Sequence, residues 1–141
     1  AGMGGDLMVH ILSAAPWTRD VKLILQPMST QEVLRQWLTE HGYAILWEGI
    51  AREGEKFYPL FTATGGQSPR YSPGELWAGR QQQGEDNPHR LAYLTEQIRR
   101  RQRALEGMAQ SSHPDPAQLD RERTLQNDLQ RMREEWIQWQ R

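Results

Sequence analysis

Two short segments carry residue types that could do chemistry in this chain. Gly2-Met3-Gly4-Gly5 precedes a stretch with helical spacing of apolar residues, and Gln26-Pro27 follows the apolar run Val21–Leu25. Glycines ahead of a helix let a ligand approach backbone N–H groups at the positive end of the helix dipole. A side-chain amide at a strand end could meet the edge of a base, because ligands of open α/β sheets bind beyond the carboxyl ends of the strands. Each segment also has a structural alternative: glycines often serve only to fit a turn, and a Gln-Pro pair can simply stop a strand.

A run of basic side chains is the second candidate for ligand contact, and it consists of Arg99, Arg100, Arg101 and Arg103. Such a run can neutralise the phosphates of a nucleic acid. The alternative is a solvated helix face with ion pairs, because the neighbouring helical segment carries Glu134 and Glu135.

The sequence offers little for other kinds of chemistry. The four histidines lie far apart without metal-ligand spacing, and neither a Ser/His/Asp set nor a carboxylate pair can be identified. No cysteine is present, which excludes disulfides, thiolate metal sites and cysteine nucleophiles. The formal net charge is -1, so only a local basic patch could bind nucleic acid. No apolar run reaches the roughly 18 to 20 residues of a membrane span, so we expect a soluble, cytoplasmic protein with neither membrane nor metal as a partner.

Helix and strand patterns alternate in the first part of the chain. Apolar residues from Leu7 to Leu12 have helical spacing, and Val21–Leu25 is typical of a strand buried on both faces. Ser29 and Glu32 then form the pattern of a capping box at the start of a second helix. This alternation predicts parallel strand pairing, with helices on the faces of the sheet.

A β-hairpin is expected to end this sheet. Tyr43–Ala51 and Lys56–Thr62 have strand patterns and are joined by a tight connection, while Pro59 is easiest to place at an edge or a bulge. An α/β sheet that ends in such a hairpin is typical of class I, Rossmann-like methyltransferases, in which the last strand runs antiparallel to the rest. Two or three strands cannot cover two helices, so we expect further strands outside this chain.

The rest of the sequence predicts a linker or loop over residues 65–86 and a helical hairpin over residues 87–141. The first long helix carries apolar residues from Leu91 to Met108, and the second carries them from Leu125 to Trp139 at heptad spacing. The break Ser111–Pro116 between them predicts an α-helical antiparallel coiled-coil hairpin.

Four segments follow one another at defined separations: Gly2-Met3-Gly4-Gly5, Leu23-Ile24-Leu25-Gln26-Pro27, Leu34-Arg35-Gln36-Trp37-Leu38 and Lys56-Phe57-Tyr58. Together they resemble the TrmK family, bacterial enzymes that methylate N1 of adenine 22 in tRNA. The glycine turn combined with the LILQP segment is the most specific part of this resemblance. Two positions depart from the family pattern, because Met28 stands where the family has Asn and Pro59 where it has Glu.

The resemblance implies S-adenosyl-L-methionine as the cofactor and tRNA as the substrate, with attack by adenine N1 on the sulfonium methyl group. The implied cofactor-binding residues, beside the transferred methyl, are Gly2, Met3, Gly4 and Gly5. Gln26 and Pro27 would line the same cleft and contact the substrate. The implied tRNA-binding residues of the helical hairpin are Arg99, Arg100, Arg101 and Arg103.

The resemblance also implies that residues 1–64 are the C-terminal half of a Rossmann-like methyltransferase domain. The family's main cofactor loop and the acidic residue that binds the ribose would precede Ala1. The N-terminal half of that domain would then be a necessary partner, and this chain alone would be inactive. Two alternatives remain open: a non-catalytic helical module that binds RNA or protein, and an inactive fragment.

Overall fold

The computed structural model of the chain describes residues 3–141 and divides into two compact units. The first unit ends at Tyr71, and the second begins at Ser72. The elements, in chain order, are α1 (Gly5–Ser13), a 3-10 turn (Pro16–Asp20), β1 (Leu23–Leu25), α2 (Gln31–Glu40), β2 (Tyr43–Glu53), β3 (Lys56–Gly65), α3 (Pro73–Ala78), α4 (Arg90–Ala109) and α5 (Pro116–Trp139). Residues 65–86, predicted as a linker or loop, are shared between the two units and contain α3.

The sheet of the first unit has the strand order β1-β3-β2, and both of its pairings are antiparallel. Since β1 and β2 both run opposite to β3, they point in the same direction without being neighbours. The prediction that the last strand runs antiparallel to the others is therefore confirmed. The expectation of parallel pairing is wrong for the described strands, because β3 lies between the two strands that share a direction.

Strands β2 and β3 form the predicted hairpin, and both are longer than the sequence pattern indicated. Gly54 has a φ of 62° in the connecting turn, a conformation that glycine adopts without steric cost. Pro59 is buried and lies outside the Phe61–Ala63 segment that β1 covers. On the β1 side, β3 therefore has no described strand beside Pro59, which is the locally edge-like position that a proline tolerates.

The hydrophobic core lies between one face of the sheet and the helices α1 and α2. Its buried side chains are Leu12, Leu34, Leu38, Tyr43, Phe61 and Ala63. Leu23 and Leu25 of β1 pack against this core, whereas Ile24 between them is 76% exposed. The prediction of a strand buried on both faces is therefore wrong, because no described element of the first unit covers the second face of the sheet.

The start of α2 also differs from its sequence pattern. Thr30 is the N-cap residue, with a φ of 47° and no side-chain capping bond, so the Ser29/Glu32 capping box does not form. The Ser29 carbonyl instead accepts a hydrogen bond from the Gly5 N–H, which draws residue 29 away from the capping position. A capping box forms at α3, between Ser72 and Glu75.

In the second unit, α4 and α5 run in opposite directions and are linked by polar side chains. Arg133 Nε donates to Thr95 Oγ1 at 2.9 Å, and Gln126 Nε2 donates to Gln102 Oε1 at 3.2 Å. Helix α3 is tied to this pair, since Arg90 at the start of α4 is buried and donates to the backbone carbonyl of Ala78. Within residues 3–141, no helix is both long and apolar enough to span a membrane.

Candidate functional site

The two segments that sequence analysis singled out lie on adjacent loops. The Met28 N–H donates to the Met3 carbonyl at 2.9 Å, and the Gly5 N–H donates to the Ser29 carbonyl at 2.7 Å. The glycine loop before α1 is thereby joined to the loop that leaves the carboxyl end of β1. Gly2 lies outside the described residues, so this arrangement concerns Met3, Gly4 and Gly5.

Side chains reinforce this junction at the start of α1. The Asp6 N–H donates to Thr30 Oγ1 at 3.0 Å, and the Leu7 N–H donates to Asp6 Oδ1 at 2.9 Å. Together with the bond from Gly5 to Ser29, these contacts occupy the first three N–H groups of the helix. The interpretation that a ligand uses these N–H groups is therefore not supported, because the protein itself satisfies them.

The glycines are explained by the closeness of the two loops. A Cβ atom on Gly4 would lie 2.6 Å from Ser29 Oγ, and one on Gly5 would lie 2.3 Å from the Thr30 carbonyl oxygen. The second distance involves backbone, which cannot rotate away as a side chain can. Gly5 therefore serves the fit between loops, the structural alternative considered for this motif.

The side chains after β1 are placed very differently from one another. Pro27 is fully buried, so it shapes the loop, whereas Gln26 and Met28 are exposed beside the glycine loop. The Gln26 amide offers both a hydrogen-bond donor and an acceptor to a base edge. This arrangement can position a flat polar ligand.

A buried ion pair next to this region was not identified from the sequence. Arg35 of α2 is 2% exposed and donates from Nε to Glu48 Oε1 of β2 at 2.8 Å. The Tyr71 hydroxyl donates to the other Glu48 carboxylate oxygen at 3.2 Å, and the Arg35 guanidinium lies 5.1 Å from the Phe61 ring centroid. These contacts hold α2 against the sheet. No local pattern predicts them, because the partners are far apart in the chain.

The arginine run of α4 separates into an exposed group and an inward-facing residue. Arg99 and Arg100 both bond to Glu96 on the same helix, at 2.6 Å and 3.0 Å. The Arg101 guanidinium instead lies 4.1 Å from the Trp77 ring centroid and forms an ion pair with Glu122 of α5 at 3.1 Å. Arg103 is exposed. The ion-paired face proposed as the alternative exists, but its acid is Glu96 rather than Glu134 or Glu135.

The two arginines change the acidity of their partner. Hydrogen bonding from Arg99, assisted by Arg100, outweighs the effect of partial burial and lowers the pKa of Glu96 from 4.5 to about 2. Glu96 therefore stays ionised at any physiological pH. Its negative charge offsets part of the positive charge that this helix face presents.

Comparison with known proteins identifies relatives for both the sequence and the fold. Residues 1–61 match a protein family described as a methyltransferase domain. The tRNA (adenine(22)-N(1))-methyltransferase of Bacillus subtilis (strain 168) is 41% identical over 68 residues, which are 47% of this chain and 29% of that protein. The chain thus spans less than a third of this curated relative.

Solved structures match over nearly the whole chain. Streptococcus pneumoniae Sp1610, provisionally named a tRNA (m1A22) methyltransferase, is 26% identical with a TM-score of 0.74, covering 94% of this chain and 59% of that one. Its complex with S-adenosyl-L-methionine matches with 28% identity and a TM-score of 0.68, covering 92% and 57%. The Bacillus subtilis m1A22 tRNA methyltransferase TrmK matches with 26% identity and a TM-score of 0.65, covering 98% and 60%.

These matches confirm the resemblance to the TrmK family. They also show a Rossmann-like methyltransferase fold, represented here by a small antiparallel sheet and helices. The chain covers under two thirds of each solved relative.

Proposed function

We propose that this chain is the C-terminal part of an S-adenosylmethionine-dependent tRNA adenine-N1 methyltransferase of the cytoplasm. The single observation that supports this most is the junction between the glycine loop and the LILQP loop, at 2.7 Å and 2.9 Å. The same two segments carry the sequence resemblance, and the relatives that match in sequence and fold bear the corresponding names. This reading is preferred to a non-catalytic helical module.

When bound, S-adenosylmethionine would supply a methyl group on a sulfonium centre for in-line transfer to adenine N1. The residues at the junction would bind that group without using the first N–H groups of α1, since these already have protein partners. A positive helix end would in any case not favour a sulfonium cation. We therefore assign to Met3, Gly4 and Gly5 the floor of the cleft beside the methyl group, while Gly2, the fourth residue predicted there, lies outside the described residues.

We assign the substrate side of the same cleft to Gln26 and Pro27. Gln26 is exposed and can pair with the edge of the target base, while buried Pro27 fixes the course of the loop that carries it. The protein would contribute by holding the base and the methyl donor in line, which is the main source of acceleration in such a transfer. Met28, 45% exposed, occupies the place of the family's Asn and would offer apolar contact there instead.

The open face of the sheet supports a partner that completes the domain. Ile24, Thr62 and Trp47 pair across the three strands and lie on the face away from the core; Ile24 is 76% and Trp47 is 56% exposed. Sheets of this class normally carry helices on both faces. We propose that the N-terminal half of the methyltransferase domain covers this face and supplies the main cofactor loop.

We propose that residues 87–141 of the second unit are an antiparallel coiled-coil hairpin that docks tRNA, mainly through phosphates and shape. Arg99 and Arg100 are adjacent and lie about one helical turn before Arg103, and all three are exposed on α4, which suits phosphate contact. Arg101 would act indirectly, because its guanidinium is held between Trp77 and Glu122.

Calorimetry with S-adenosylmethionine tests the division of the domain. The chain alone should show no binding, because most cofactor contacts would come from the other half. A chimaera that joins it to the N-terminal half of the Bacillus subtilis relative should bind the cofactor and transfer labelled methyl to tRNA as 1-methyladenosine. Micromolar binding by the chain alone would contradict the division, and a folded chimaera that binds cofactor but leaves tRNA unmodified would contradict the activity.

A further inference from the structure

A cavity of about 400 Å³ opens in the first unit, away from the glycine loop. Its walls come from the end of α1, the 3-10 turn, the end of α2 and the start of β2. The side chains that line it include Ser13, Arg19, Trp37, His41 and Tyr43. None of them belongs to the proposed methyl-transfer cleft.

The direction of the strands separates this cavity from that cleft. Tyr43 begins β2, whereas Gln26 follows the end of β1, and the two strands point the same way. Leu25 pairs with Phe61, and Tyr43 pairs with Gly65, so roughly 13 Å of strand lies between the two ends.

One side of the cavity is a stack of flat rings. The imidazole of His41 lies parallel to the indole of Trp37, with centroids 4.5 Å apart and an interplanar angle of 13°. His41 Nδ1 lies 2.8 Å from the Trp37 carbonyl oxygen, which can only accept, so Nδ1 carries a proton and the ring is held in place. His41 is exposed, and both stacked rings line the cavity.

A positive charge stands beside this stack. The Arg19 guanidinium lies over Gly42, with Nη1 3.7 Å from the position of a Cβ atom there. Arg19 side-chain nitrogens make no hydrogen bond or ion pair with any residue between 3 and 141. The Arg19 backbone packs closely on Gly65, where a Cβ atom would lie 2.5 Å from the Arg19 carbonyl oxygen. The close packing of the Arg19 backbone therefore fixes where its side chain begins, and the guanidinium N–H groups remain available to a ligand.

We propose that this cavity binds a nucleoside monophosphate group, with the base against the Trp37–His41 stack and the phosphate on Arg19. Flat heteroaromatic rings stack on such surfaces, and a guanidinium recognises a phosphate through paired N–H donors. The volume lies within the range of small-molecule sites. The group can be a free nucleotide or one residue of an RNA chain, which share this chemistry. The site does not depend on the proposed methyltransferase function.

Nuclear magnetic resonance titration of the chain with adenosine 5′-monophosphate tests the proposal. Signals of the Trp37 indole, His41 and Gly42 should shift in a saturable manner, while those of Gly4 and Gly5 stay in place. Adenosine and ribose 5-phosphate should each bind at least ten-fold more weakly, because each lacks one of the two groups. A single-stranded trinucleotide that binds more tightly than the mononucleotide would identify RNA as the source, and weaker binding would identify a free nucleotide.

Three variants complete the test. Arg19→Ala should weaken binding of the mononucleotide at least ten-fold and leave adenosine binding unchanged, whereas Arg52→Ala, a matched loss of charge elsewhere in the unit, should change neither. Ser13→Trp should fill the cavity and abolish the shifts of the Trp37 and His41 signals on addition of mononucleotide. The proposal is overturned if 10 mM mononucleotide leaves the Trp37 and His41 signals unmoved, or if Arg19→Ala and Arg52→Ala bind it equally. Because cofactor binding by the chimaera does not involve this cavity, either proposal can fail without the other.

Discussion

At Gly5, the absence of a side chain sets the distance between two loops. Its N–H bonds to the Ser29 carbonyl at 2.7 Å, and an added Cβ atom would lie 2.3 Å from the Thr30 carbonyl oxygen. Thr30 itself has a φ of 47°, an unusual conformation for a residue with a branched side chain. At both residues the contact between the two loops requires a local arrangement that the residue would not otherwise favour.

Gly5→Ala should therefore destabilise the first unit by about 1 to 3 kcal/mol, because the new methyl group forces the loops apart. Urea unfolding measured by circular dichroism checks this. Gly107→Ala is the matched control: a Cβ atom at Gly107 meets nothing within 4 Å, and alanine there should stabilise α4 by up to about 1 kcal/mol. If both substitutions stabilised the protein, the close contact at Gly5 would be refuted.

One carboxylate links the start of α3 to α5. Asp128 accepts from the Gly74 N–H at 2.7 Å and from Arg131 Nε at 3.0 Å. Burial opposes its ionisation, but hydrogen bonds from Ser72, Gly74 and Arg131 outweigh burial and hold the pKa of Asp128 below its ordinary 3.8. A folded-state pKa below the unfolded value means that this stabilisation is fully present above about pH 4 and is lost as the pH falls further.

Asp128→Asn should lower the free energy of unfolding of the second unit by about 1 to 2 kcal/mol at pH 7, because the charged acceptor is lost. Between pH 4 and pH 2, the free energy of unfolding should also fall less in the variant than in the wild type. Asp120→Asn, at an exposed position of the same helix, should have no such effect. Unfolding curves at several pH values measure both; identical acid limbs for wild type and Asp128→Asn would argue against the linkage.

In the first unit, the described helices cover only one face of the sheet. Leu25 packs on the core, whereas Ile24 beside it is 76% exposed, and Trp47 on the same face is 56% exposed. Apolar side chains grouped on one exposed face are typical of an interaction surface, which agrees with the proposed N-terminal half as its cover. The two neighbouring positions of β1 therefore provide a matched pair for a test.

Ile24→Lys should change the stability of the isolated chain by less than about 0.5 kcal/mol, because the side chain is in solvent there. In the chimaera with the N-terminal half, the same change should cost about 2 kcal/mol or more, because Ile24 would be buried. Leu25→Lys should destabilise both proteins. Equal, small effects of Ile24→Lys in the two contexts, read from chemical denaturation, would show that this face stays open.

The helical unit makes a separate prediction about tRNA. Replacing Arg99, Arg100 and Arg103 together by alanine should weaken tRNA binding and reduce its logarithmic salt slope by roughly 2 to 3, because three phosphate contacts are lost. Glu96→Gln should strengthen binding, since it removes the charge that offsets two of these arginines. Fluorescence anisotropy over a range of salt concentrations measures both.

The control for that experiment is a matched triple in the first unit: Lys22, Arg52 and Lys56, all exposed, replaced by alanine. A salt slope that falls equally in both triples would mean that general charge, and not the α4 face, determines binding. An unchanged slope in the α4 triple would leave the helices as a scaffold.

The sequence by itself determined the kinds of element and their order. Helical spacing, the hairpin between Tyr43 and Thr62 and the break before Pro116 are local patterns, and the structure contains all of them, with the hairpin extended to Gly65. The adjacency of the glycine loop and the LILQP loop was implied by the family resemblance, and two backbone hydrogen bonds join these loops in the structure. Family likeness then supplied the chemistry that these patterns could not specify.

Only the tertiary structure decided which surfaces and donors are already occupied. An apolar run such as Val21–Leu25 records that its side chains favour burial, but it does not record whether anything covers Ile24. The N–H groups of α1 and the guanidinium of Arg101 likewise find partners in residues distant along the chain, Ser29, Thr30 and Glu122. Periodicity is a local property, whereas hydrogen-bond satisfaction and coverage depend on which remote segments meet.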